Sequence, residues 1–133
     1  MITFEEMETM LDEIAHEIPK EFYRELNGGI LLLPEIKHHP ESYRQVGELY
    51  IMGEYHNDRK GYGGLGRYIK IYYGSFMQLY SHVPLQRLRE EVKKVLIHEF
   101  THHLESLAGE RDLEVKDAVE LEKYRLRRRK REK

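Results

Sequence analysis

The amino-acid sequence predicts a compact α+β domain: a small sheet of short strands with an N-terminal helix, a motif helix and a C-terminal helix. Three observations carry that reading. The chain opens on an acidic amphipathic stretch, MITFEEMETMLDEIAHEI; its middle holds β-patterned runs broken by Gly-rich turns; and a long helical stretch comes after them that contains His98-Glu99-Phe100-Thr101-His102-His103.

In the first element, Thr3 is a plausible N-cap and Glu6 stands three residues on, the capping-box spacing. Phe4, Met7, Leu11 and Ile14 then recur at helical intervals up to Pro19. A second short helical stretch is expected over Lys20–Leu26, broken by Asn27-Gly28-Gly29. Ile30–Leu33 reads as a buried strand. Val46–Tyr55 reads as another, with Leu49, Ile51 and Gly53 on one face, and Arg67–Tyr73 as a third, alternating Tyr68, Lys70, Tyr72 against Ile69, Ile71, Tyr73. From Leu85 to Ala108 there is neither Gly nor Pro, and the apolar residues Leu85, Leu88, Val92, Leu96, Phe100, Leu104 and Leu107 fall on one arc of a helix, with Val95 at its margin. Val119, Leu121 and Tyr124 mark the packed side of a final helix.

The 133 residues make one domain's worth, expected over 1–124, with 125–133 as a basic tail. No cysteine is present, which excludes disulfides and thiolate metal ligands and fits a reducing compartment. The acidic start is unlike a signal peptide, and the longest aliphatic run, Ile30–Leu33, is far too short to span a bilayer. A cytoplasmic location is therefore expected. The tail RLRRRKREK holds seven basic residues against one acidic, leaving 15 of the 22 basic and 23 of the 24 acidic residues in 1–124, a net of −8. Such asymmetry permits contact with nucleic acid or anionic lipid. A charge run without interleaved aromatics is more often a solvated helix end, and that reading is preferred.

The motif region carries the chemistry. On a helix, residues i and i+4 lie one above the other, so His98 and His102 can offer two imidazoles to one metal ion. Glu99 sits about 100° round the helix from His98 and about 60° from His102, beside the open coordination position, where it can act as general base toward water. Imidazole suits Zn²⁺, and a catalytic zinc usually takes three protein ligands and leaves its fourth position open. With 8 histidines in the chain, an H-E-x-x-H string is short enough to arise by chance, so its context decides. That context is favourable, because His98 and His102 fall where the apolar arc meets the polar one, the place for a pair opening onto a cleft. His103 falls inside the apolar arc and reads as a hydrogen-bonded core histidine rather than a ligand.

The string HEFTHHLESLAGERDLE resembles the small bacterial zincin-like metallopeptidases, or minimal zincins: single domains of this size with H-E-x-x-H-H followed by a Gly and an acidic residue. The upstream layout is similar too. The resemblance implies a zinc-bound hydrolase with one ion on His98 and His102 and Glu99 as base; it names no substrate. The chain departs from the family pattern at the third ligand. Glu105 stands at the family's Gly position, and Gly109 comes one turn later, followed by Asp112. Gly109 is suited to cap a helix and let the chain return Asp112 to the metal. Asp112 is thus the expected third ligand and Glu105 its rival, with Glu114 and Asp117 coming in the next segment.

Other signals are weaker. His16-Glu17 starts a similar string, but position 20 is Lys. Gly61-Tyr62-Gly63-Gly64-Leu65-Gly66 formally matches G-x-G-x-x-G, yet the next segment is strand-like, and a phosphate site needs a helix there. In zincins generally a strand beside the motif helix pairs with extended peptide, and a Tyr or His stabilises the oxyanion. Tyr68–Tyr73 is the candidate strand, and His82 lies on a loop before the motif helix. Two functional classes result: a zinc-dependent peptidase acting on peptide or protein, and a non-proteolytic binding or regulatory protein on the same scaffold, contacting a partner or nucleic acid through its tail.

Overall fold

The structure, a computed structural model, describes residues 1–40, 49–58 and 64–111, with side chains placed through residue 109. The chain divides into two compact units, Met1–His103 and Leu104–Lys133; of the second, the described residues are the end of one helix, through Arg111. The boundary expected at 124/125 lies outside the described residues, as does the expected C-terminal helix.

Helix α1, Phe4–Glu17, starts where the sequence places it. Thr3 Oγ1 accepts from the Glu6 N–H at 3.1 Å, and Glu6 Oε1 accepts from the Thr3 N–H at 3.0 Å, satisfying two of the helix's orphan donors. Met7, Met10, Leu11 and Ile14 are buried, and Phe4 meets Tyr73 edge-on with ring centroids 5.5 Å apart. Past Pro19 the expected helical stretch is only one 3₁₀ turn, Lys20–Tyr23, and Glu25 then takes a left-handed φ of 58°.

The main sheet orders its strands β1–β5–β4, with β1 Gly29–Leu33, β4 Gly53–Asp58 and β5 Gly66–Tyr72. β1 runs parallel to β5, with Ile30 opposite Ile69, and β4 runs antiparallel, with Tyr55 opposite Ile69. A separate two-stranded ladder joins β2, Lys37–His38, to β3, Tyr50–Ile51. Three expectations need correction. The run expected over Val46–Tyr55 is two strands divided at Met52, whose carbonyl accepts from the Tyr72 N–H at 2.9 Å; its first residues lie outside the described set. Ile30–Leu33 forms a strand, but one at the sheet's edge and only half-buried. Tyr73 does not end the third strand: it begins helix α2, Tyr73–Tyr80.

Helix α3 spans Leu85–Arg111, and Leu88, Val92, Leu96 and Phe100 form its buried stripe; Leu85, at the first turn, is exposed instead. These residues share one core with Met7, Met10, Leu11 and Ile14 of α1, Ile69 and Ile71 of β5, and Phe76 and Met77 of α2. Each such side chain contributes about 1.5–3 kcal/mol by leaving water, so α1 and α3 are held together on the inward face of β5. Arg89 and Lys93 of α3 add ion pairs to Glu13 and Glu17 of α1. Among the described residues no helix is long and apolar enough to cross a membrane. The architecture is α+β.

Candidate metal centre

The core fixes the rotation of α3, and that rotation decides what the motif presents. With Leu96 and Phe100 fully buried, His98 and His102 come out exposed while Glu99 is buried, 6% accessible. The Nε2 atoms of His98 and His102 stand 3.1 Å apart, their rings edge to face. Two nitrogens sharing a tetrahedral zinc at 2.0–2.1 Å would be separated by about 3.3 Å, so the pair is already near the spacing one ion requires. One ligand atom each from His98, Glu99 and His102 lie within 4.8 Å of one another. Two imidazoles plus a neighbouring carboxylate are a donor set suited to zinc.

Burial, reinforced by the charge of Glu54, pushes the Glu99 carboxyl above its ordinary pKa, while the two histidines pull it back in part. A carboxyl so poised is a stronger base than a solvated one.

A groove of about 330 Å³ opens beside this cluster. Its helix wall is Lys94, Val95, His98 and Glu99, and its other wall is Ile51, Met52 and Gly53. Gly53 allows the close approach: a Cβ there would lie 2.8 Å from Val95 Cγ1 and 3.1 Å from Ile71 Cδ1. The strand edge at the groove is therefore β4. The sequence expectation of Tyr68–Tyr73 as the peptide-pairing strand is corrected by the topology. β5 is flanked on both sides, by β1 and β4, so its main chain is already paired, whereas β4 has β5 on one side and, among the described residues, no strand on the other.

His103 is fully buried and does not join the cluster. Its Nδ1 lies 2.9 Å from the Tyr55 hydroxyl and its Nε2 lies 2.8 Å from the Arg24 carbonyl oxygen. A carbonyl only accepts, so Nε2–H donates to it and Nδ1 accepts from Tyr55. Burial holds the ring's pKa below its ordinary value, favouring this neutral form. Beside Tyr55 on β4, Glu54 accepts from the Tyr72 hydroxyl and pairs with Lys37 at 3.9 Å and His56 at 3.7 Å, while His56 stacks on Tyr68. His82 sits on the loop between α2 and α3, outside the three-residue cluster. Glu105 lies on α3 but is not a member of that cluster; Asp112, Glu114, Asp117 and the tail 125–133 lie outside the described residues. Sequence reasoning placed Tyr55, with His56, Asn57 and Asp58, at the border of the cleft but did not assign its link to His103; its alternation with Gly53 along β4, facing a helix that carries a buried His, is the signal that was available. The Gly-rich run ahead of β5 leads into a strand, as expected, so no helix N-terminus succeeds it.

This fold and this cluster define a class: a compact α+β scaffold whose long helix carries H-E-x-x-H beside a sheet edge, with a His-Glu-His cluster that could hold a metal ion. The model of the zincin-like metallopeptidase family matches residues 33–119, and the chain belongs to that family. A solved structure, a conserved hypothetical protein from Thermo thermophilus, is similar at 33% identity with a TM-score of 0.68, covering 81% of this chain and 99% of that one. No curated protein matches the chain.

Proposed function

We propose that the protein is a zinc-dependent peptidase, hydrolysing peptide bonds of an extended peptide or protein segment at one ion. The observation that supports this most is the convergence of His98, Glu99 and His102 within 4.8 Å of one another, with His98 and Glu99 lining a groove walled by a sheet edge. His98 and His102 would hold the ion, with Asp112 as third ligand and Glu105 as its rival. Zinc supplies a Lewis acid that polarises the scissile carbonyl and makes water acidic near neutral pH.

The chain's own residues do the rest. The β4 edge, at Gly53 and beyond, pairs with the main chain of an extended substrate and lays its carbonyl across the groove. A carboxylate oxygen of Glu99 takes a proton from the attacking water. It then delivers that proton to the amine nitrogen as the C–N bond breaks. Burial, by excluding water, keeps Glu99 basic enough for the first transfer and ready for the second.

The test is hydrolysis of a mixed peptide library by the purified zinc-loaded protein, followed by mass spectrometry, with Glu99→Gln as control. The reading expects cleavage by the wild type and a loss of at least about 10²-fold in the variant at unchanged zinc content. Equal cleavage by both would remove Glu99 from the chemistry. No cleavage by either would favour a binding protein on a zincin scaffold.

A further inference from the structure

The main sheet has two edges. One, β4, belongs to the groove beside His98; the other, β1, lies across β5 from it, two strand spacings or about 10 Å away. Edges in native proteins are commonly blunted by charges, proline or bulges. β4 carries Glu54, His56 and Asp58, but β1 is Gly29-Ile30-Leu31-Leu32-Leu33, with none of these devices. Among the described residues no strand pairs with its outer side.

A groove of about 580 Å³ runs along that side and touches four consecutive residues, Ile30 to Leu33. Successive side chains of a strand point to opposite faces, so a groove meeting all four runs along the backbone edge itself, where alternate N–H and C=O groups face outward. Its far wall is α1, through Glu8, Leu11, Asp12 and Ala15. Tyr23, whose hydroxyl donates to the Ala15 carbonyl at 2.5 Å, adds its ring to the same wall. Glu8 and Asp12 are exposed, one helical turn apart, and among the described residues neither carboxylate forms an ion pair.

We infer that the β1 edge is a strand-acceptor site for an extended basic segment of a partner protein. The segment would add as a fourth strand by main-chain pairing, with Lys or Arg on alternate residues reaching Glu8 and Asp12. The acidic wall decides the occupant. A second copy paired edge to edge would bring two such walls together and repel itself, whereas a basic strand is attracted. Occupation of β1 leaves the groove at His98 open, and neither metal nor hydrolysis is needed for it.

The probe is a fluorescein-labelled heptapeptide Lys-Val-Arg-Val-Lys-Val-Arg, followed by anisotropy and by amide exchange of residues 29–33 and 53–58, with the full chain. The site predicts saturable binding with added protection in 29–33 and not in 53–58. It predicts at least tenfold weaker binding by Glu8→Lys/Asp12→Lys and by a peptide N-methylated at alternate residues, and none by the peptide with Glu for every Lys and Arg. Equal binding of the N-methylated peptide would reduce the contact to plain charge attraction and overturn the proposal, as would protection confined to 53–58. A dimer seen by ultracentrifugation that dissociates in Leu31→Lys would give the edge to a second copy. Protection present without peptide and lost when 125–133 are deleted would give it to the chain's own tail. Either result overturns the assignment to a partner.

Discussion

The Tyr55 hydroxyl and the His103 ring make a hydrogen bond of 2.9 Å that ties edge strand β4 to the motif helix, one residue past His102. Because the other ring nitrogen donates to the Arg24 carbonyl, a single neutral imidazole joins three segments: β4, α3 and the turn after the 3₁₀ helix. The wall of the groove is thus set by a buried polar link as well as by apolar packing. Tyr55→Phe leaves Nδ1 of a fully buried ring without its donor, which should cost about 1–3 kcal/mol. Denaturant unfolding of the zinc-free protein measures it; a cost near zero would mean that the link does not hold the wall.

Gly53 is the other determinant of that wall. Gly53→Ala must displace Val95 Cγ1 from 2.8 Å and Ile71 Cδ1 from 3.1 Å, with the Lys70 carbonyl oxygen at 3.2 Å behind them. Overpacking of this kind costs about 1–3 kcal/mol. It should also push β4 off α3, so peptide hydrolysis falls while zinc content, which depends on His98, His102 and Asp112 and on no residue of β4, stays constant. Parallel assays of stability, zinc and cleavage check the three parts; loss of zinc together with cleavage would contradict the division.

Phe100 is fully buried against Tyr23, ring centroids 5.0 Å apart, and its position one residue from Glu99 makes it the wedge that fixes the motif's rotation. Phe100→Ala should destabilise the protein by about 3–5 kcal/mol, read from chemical unfolding. A cost below about 1.5 kcal/mol would show that the site collapses to fill the space.

The ion pairs between α1 and α3 give a pH signature. Hydrogen bonds from Lys93, at 2.9 Å, and Arg89 hold the Glu17 carboxyl below its ordinary pKa. A carboxyl with a lowered folded pKa contributes stability that is present above its unfolded value, near 4.5, and lost as pH falls through the folded one. Melting temperature should therefore drop more gently below pH 4.5 in Glu17→Gln than in wild type, and the difference should shrink in about 1 M salt. Parallel acid limbs at low salt would exclude Glu17 as a contributor.

Much of this was legible locally. The capping box at Thr3 and Glu6 and the apolar stripe of α3 are each set by residues within a turn or two, and both stand as read apart from Leu85, which is exposed; the H-E-x-x-H spacing brings His98, Glu99 and His102 within 4.8 Å of one another. What failed was long-range. A uniform apolar run such as Ile30–Leu33 has the same pattern at an edge as in the middle of a sheet; only the pairing of β5 with both neighbours separates the cases. α2 was hidden because Tyr73 continues the two-residue alternation of β5, although Tyr73, Phe76, Met77 and Tyr80 carry helical spacing. Gly53 gives no local sign that a helix passes against it. The fate of Glu99 was readable once the arc was drawn: a residue about 100° from His98 falls among the apolar positions, and it is buried.

His98 and His102 are proposed to hold one zinc ion. A competition titration with a chromogenic chelator, on protein purified without metal-chelate resin, tests it directly, comparing wild type with His98→Ala/His102→Ala, Asp112→Asn, Glu105→Gln and Glu99→Gln. About one zinc per chain is expected in the wild type and in Glu99→Gln, none in the double variant, and at least about tenfold weaker binding in Asp112→Asn with Glu105→Gln unchanged. No zinc in the wild type, or the same zinc in the double variant, would contradict it.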